Sequence, residues 1–175
     1  MKASTFVVGA AVFGLAVAAM SSSGHAQQGP AQPPAKQVYG NWMFSCEQAA
    51  CQVFLSLADE KTKEAKLSWA FLYDSRKVAL STIVRLPPMT ALPPGVRVYV
   101  DDKTSFTWPF QFCDGSSCSA VSVLTDKDFA LLKSPSRTVI QFFEYGRSKP
   151  TSYPISMDGL AEATVRLIAE AKVTR

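Results

Sequence analysis

The stretch from Leu92 to Ala120, LPPGVRVYVDDKTSFTWPFQFCDGSSCSA, limits the possible folds more than any other part of the chain. It predicts two strands, Val96 to Val100 and Ser105 to Phe112, joined across Asp101-Asp102-Lys103 and closed onto a tight loop between Cys113 and Cys118. Val96, Val98 and Val100 alternate with Arg97 and Tyr99, the period of two of a half-buried strand. Pro109 interrupts the second strand. Proline has no N–H to give to a ladder, so this position belongs at a sheet edge or a bulge. An edge strand carrying Trp108, Phe110 and Phe112 offers apolar side chains and unpaired backbone, which together let a partner strand add on. Trp108, Pro109, Phe110 and Phe112 are therefore the candidate interaction surface. Two other readings of Pro109 stand beside this one: it shields a bare edge from aggregation, or it marks a bulge under the proline-rich loop.

The four cysteines form two pairs of equal spacing, Cys46-x4-Cys51 and Cys113-x4-Cys118. In an exported protein an even count reads first as disulfides, and of the three possible connectivities the two local ones are favoured. Each closes a short loop worth about 2 kcal/mol by chain entropy. A four-thiolate zinc site has permissible spacing, but an oxidising compartment argues against it. Neither pair has the C-x-x-C spacing or the neighbouring cation of a redox-catalytic dithiol.

Export is read from the first residues. Lys2, the apolar run from Phe6 to Met20, and small residues at Gly24 and Ala26 predict a signal peptide over residues 1–26. The run is shorter than the 18 to 20 or so apolar residues of a membrane span, and no later stretch is long enough, so no transmembrane segment is expected after cleavage. Residues 27–37, QQGPAQPPAKQ, have almost nothing to bury and read as a disordered linker. A single domain is expected over 38–175, long enough to bury about 68–70% of its unfolded surface without a metal. The protein is thus placed in the periplasm or outside the cell.

The remaining strands are predicted over Asn41 to Cys46, Cys51 to Leu57, Leu67 to Tyr73, Lys77 to Val84, Ser119 to Leu124, Arg137 to Tyr145 and Ser152 to Ser156. The segment WAFLY, Trp69 to Tyr73, barely alternates, which suits a strand covered on both faces or one whose outer face meets a partner. Thr125-Asp126-Lys127-Asp128 resembles a helix start. Leu160, Ala163 or Thr164, Leu167, Ile168 and Ala171 make an amphipathic C-terminal helix, with Asp158 or Ser156 as its N-cap. About nine short strands, a short helix and this C-terminal helix argue a mainly β protein, a β-sandwich.

Much chemistry is excluded. The only histidine, His25, leaves with the signal peptide, so Ser-His-Asp and Cys-His catalysis and histidine-ligated metal are not expected of the mature chain. Glycines are too scattered for a dinucleotide or phosphate loop, so no cofactor is expected. The net charge of +4 falls to +3 when Lys2 is lost, too mild for a nucleic-acid partner. What remains is carboxylates: Asp101 with Asp102 reads as a solvated turn, and Asp126 with Asp128 as complements to a helix dipole.

Tyr39-Gly40-Asn41-Trp42 followed by Cys46 and Cys51, then Leu92-Pro93-Pro94-Gly95-Val96-Arg97 with Asp101, resemble the invasion-associated locus B family. Pro109-Phe110 ahead of Cys113, Cys118-Ser119-Ala120, and Ser156 to Leu160 continue the pattern, so the resemblance runs from about Val38 to Leu167. Asn41 and Leu160 depart from the acid and the aromatic usual at those places. The resemblance implies an immunoglobulin-like β-sandwich in the envelope of a Gram-negative bacterium, in a family named for host-cell invasion. The function expected is therefore non-catalytic binding of another envelope or host protein, or of a surface component. A carboxylate-dependent periplasmic hydrolase and a binder of small apolar ligands between the sheets are the alternatives.

Overall fold

Alternating apolar positions pair into two antiparallel sheets. The computed structural model describes residues 36–47, 50–101, 104–133, 135 and 137–173, all within one compact unit. The expected signal peptide and residues 27–35 of the linker lie outside them, as do Asp102 and Lys103. Seven strands form the larger sheet: β1 (Lys36–Tyr39), β2 (Trp42–Glu47), β3 (Ala50–Ala58), β4 (Ala65–Asp74), β5 (Ala79–Leu86), β8 (Phe110–Cys113) and β9 (Cys118–Leu124). Their order is β1-β2-β3-β4-β5-β9-β8. The smaller sheet holds β6 (Val96–Val100), β7 (Thr104–Trp108), β10 (Thr138–Phe142) and β11 (Thr151–Ile155), in the order β11-β10-β6-β7. The architecture is the expected mainly β sandwich, here built on a five-strand meander, β1 to β5.

Eleven strands replace the nine expected, for two reasons. Lys36 and Gln37, assigned to the linker, pair with Ser45 and Phe44 in β1. Their side chains are exposed, so the strand exists through backbone pairing that hydrophobic periodicity does not register. The expected strand from Ser105 to Phe112 divides at Pro109, where the chain leaves the smaller sheet and joins the larger one. A residue without an N–H can occupy the crossover without losing a ladder bond.

Between the layers lies an aromatic core. Trp42 and Trp69 meet edge to face at 5.7 Å, Trp69 meets Trp108 of the other sheet at 5.9 Å, and Phe71 meets Phe129 at 6.4 Å. Such pairs add about 0.5–1.5 kcal/mol each beyond the area they bury. The indole N–H of Trp69 donates to Thr82 Oγ1 at 2.6 Å, so the buried donor is satisfied. Phe129 comes from α1 (Asp126–Leu132), capped by Thr125 and Asp128 in a reciprocal capping box. Helix α2 (Leu160–Val173) buries Leu160, Ala163, Thr164 and Leu167 against β1 to β4.

The turn into β2 and the segment leading into α2 are clasped together. Asn41 N–H donates to the Asp158 carbonyl at 3.1 Å, Asn41 Nδ2 to Ser156 Oγ at 2.8 Å, and the Trp42 indole to the Ser156 carbonyl at 3.1 Å. A Cβ on Gly159, whose φ is +85°, would stand 2.0 Å from the Tyr39 carbonyl oxygen, so only glycine fits there. Gly159 also corrects the expected cap. Its carbonyl accepts the first helical bond, from Ala163, while Ser156 and Asp158 are engaged in the clasp.

Candidate interaction surface

Pro109 is exposed and stands between two edge strands, β7 of the smaller sheet and β8 of the larger. The four residues of the sequence-predicted surface then separate. Trp108 does not belong to it: only 4% exposed, it packs on Trp69 and stacks on Phe106 at 5.9 Å. As the last residue of β7 it faces the core, where an indole gains far more from burial than on an edge. Phe110 opposes Ala120 and is half-buried against the core. Phe112 opposes Ser119, so Gln111 is an extra residue, a bulge that turns Phe112 outward. Phe112 is 55% exposed.

The loop after β8 is closed by a disulfide and by hydrogen bonds to its own acid. Cys113 and Cys118 are directly opposed and disulfide-bonded, with Cα atoms 4.0 Å apart, and Cys46 and Cys51 repeat this arrangement between β2 and β3. Asp114 accepts from Ser116 Oγ at 2.7 Å and from the N–H groups of Ser116 and Ser117 at 2.8 and 2.7 Å. These hydrogen bonds, led by that of the Ser116 hydroxyl, hold its carboxyl below the usual carboxylate range.

Edge strand β8 borders the outer face of the larger sheet, which continues the apolar surface across the whole sheet. In register across six strands stand Val38, Met43, Phe54, Ala70, Ile83 and Val121. The row is apolar throughout, and all its side chains are exposed or half-buried. Leu72 and Val123 flank it on one side and Phe112 on the other, with Val123 65% exposed. The opposite faces of the same strands carry Trp42, Trp69 and Phe71, the core. Trp69 and Phe71 thus point inward while Ala70 and Leu72 point out, which accounts for the poor alternation of WAFLY. Sequence reasoning left the row itself unseen, because each strand contributes a single residue to it. Its signal was apolar residues on both alternating sets.

Of the carboxylates suggested as catalytic, Asp101 and Asp128 are engaged in structure, and Asp126 stands in the first turn of α1. Asp101 accepts from Arg137 N–H at 2.9 Å, tying the end of β6 to the start of β10, and Asp128 completes the cap of α1. Asp59 pairs with Lys66 at 2.7 Å, and that bond, with the N–H groups of Thr62 and Lys61, holds its carboxyl far below the usual range. Cavities of about 480 and 530 Å³ open beside Arg137 and Asp158 and beside Asp59 and Lys66. Charged groups line both, unlike an apolar chamber between sheets.

Comparison with known proteins places the chain in a family. A family model described as invasion associated locus B (IalB) protein matches residues 42–167. The chain belongs to the invasion-associated locus B family. A crystal structure of invasion-associated protein B from Bartonella henselae matches it with a TM-score of 0.70 at 18% identity, over 79% of this chain and 99% of that one. At that identity the likeness is one of fold. A search of curated proteins found no match. The matched region takes in the clasp from Trp42 to Ser156–Leu160, both disulfides and Pro109, so the motifs behind the family resemblance here hold the fold together. Among the described residues no helix is long and apolar enough to cross a membrane.

Proposed function

We propose that this protein is a non-catalytic envelope module, exported to the periplasm or beyond, that binds another protein or a surface component through the outer face of its larger sheet and the adjoining β8 edge. The observation that carries this reading is the six-strand apolar row with Phe112 and Val123 beside it, a face exposed among the described residues. A contiguous apolar surface of that kind is characteristic of interaction sites on soluble domains. Against hydrolysis stands the use of Asp101 and Asp128 as structural acceptors.

Pull-down from envelope extracts with the wild type, Phe112→Ser and Val123→Lys tests the surface, since both side chains are exposed and their replacement leaves the core intact. Partners retained by the wild type should be lost by the variants. Equal recovery of every partner by all three proteins would sink this surface, and turnover of any substrate by the pure protein would overturn the non-catalytic reading. Sequencing the N-terminus of the exported protein tests the leader, with Gln27 expected first.

A further inference from the structure

Over its three central rows the outer face carries cations, and the carboxylates of the same strands, Glu47 and Asp74, stand in a further row at the Ala50–Ala79 end. The three central rows hold Lys36 and Arg85 as their charged residues, and Ser68, Arg85, Ser119 and Phe112 are aligned in one of them. Lys66, Arg147 and Arg166 each have a carboxylate partner, whereas exposed Arg85 has none among the described residues. Arg85 lines a cleft of about 280 Å³ with Ser68, Ser116 and Ser117, beside Leu67 and Leu86. One wall is the disulfide-closed loop, whose acid, Asp114, is taken up by bonds from its own loop. Opposite Arg85, the hydroxyl of Ser119 is fully buried and has no hydrogen-bond partner among the described residues.

Resting on the surface reading above, we propose that the partner is a protein segment that lays apolar side chains on the row and seats one carboxylate at Arg85. A guanidinium recognises a carboxylate with two parallel hydrogen bonds. A polyanion fits poorly, because its binding rests on many neutralised phosphates and this face offers two separated cations. Seven strands about 4.8 Å apart make the face roughly 29 Å wide. With three rows of side chains it covers on the order of 500 Å², the size of a weak or transient interface.

The probe is a phage-displayed library of random dodecapeptides, panned on the purified protein and on its Arg85→Ala and Arg85→Glu variants, with circular dichroism and thermal melting confirming that each is folded. The wild type should enrich apolar sequences containing Asp or Glu. In a synthetic peptide of the enriched sequence, changing the acid to its amide should weaken binding about tenfold in the wild type and leave Arg85→Ala unaffected, while Arg85→Glu should select Lys or Arg instead. Enrichment without an acid, or an equal cost of the amide in Arg85→Ala, overturns the carboxylate site. If those peptides still lose binding to Phe112→Ser and Val123→Lys, the surface itself stands. No enrichment above background overturns both.

Discussion

Replacing Gly159 by alanine should cost far more stability than replacing Gly146, and the structure sets the size of the difference. Gly146 and Gly159 have similar left-handed conformations, φ +77° and +85°, but a Cβ on Gly146 would meet nothing within 4 Å. Gly146→Ala therefore isolates the backbone term, about 1–2 kcal/mol. Gly159→Ala carries the same term and adds a Cβ 2.0 Å from the Tyr39 carbonyl oxygen, a backbone atom that cannot swing aside. Relief requires the strand end at Tyr39–Gly40 to part from Asp158–Gly159. That movement strains the bonds from Asn41 N–H to Asp158 and from the Trp42 indole to Ser156. At about 1 kcal/mol for each of the two bonds, and more for packing lost around Trp42, the total reaches roughly 4–5 kcal/mol. Against a domain stability of about 5–15 kcal/mol, such a variant is close to unfolding. Gly115, with neither a left-handed backbone nor a near neighbour, supplies the neutral control, within about 0.5 kcal/mol. Urea unfolding followed by tryptophan fluorescence, with a common m-value, measures all three. A cost for Gly159→Ala within about 1 kcal/mol of that for Gly146→Ala would refute the close-contact argument.

Trp108→Ala should destabilise by about 3–5 kcal/mol as a core truncation, while Phe112→Ala, at an exposed position, should change stability by under about 1 kcal/mol; comparable losses in urea would contradict the assignment of the two rings. Replacing Cys113 and Cys118 together by serine should cost about 2 kcal/mol and speed amide exchange in β8 before the rest of the larger sheet; uniform protection would count against local stapling. Asp59, Asp74 and Asp114 have carboxyl pKa values lowered in the fold, Asp59 chiefly by Lys66, Asp74 by the Lys77 and Arg76 N–H groups, and Asp114 by the Ser116 hydroxyl. A lowered folded pKa contributes stability above the unfolded value near 3.9 that is lost as pH falls through the folded one. Melting temperature should thus hold from about pH 5 to 8 and drop below about pH 4, and Asp59→Asn with Asp114→Asn should make the drop shallower; an unchanged acid limb would show that these exposed bonds contribute nothing.

The sequence alone determined the secondary elements that depend on local chemistry. Alternating valines make β6, Thr125 with Asp128 makes the α1 cap, and the equal cysteine spacings place each disulfide across a hairpin. The sandwich followed from the number and spacing of such elements. Export and the absence of histidine chemistry remain readings of composition. Three features needed the tertiary structure, because each depends on residues far apart in the chain. Pro109 is the point where the chain changes sheets, which depends on where Trp108 finds Trp69. The role of Gly159 rests on Tyr39, brought against it from the other end of the domain. The apolar row exists only in the register of six strands, since a single outward Ile83 or Met43 is unremarkable until hydrogen bonding lines it up with its neighbours. Local preference operates over a few residues, whereas the identity of a surface is set by which strands lie side by side and which way each side chain faces.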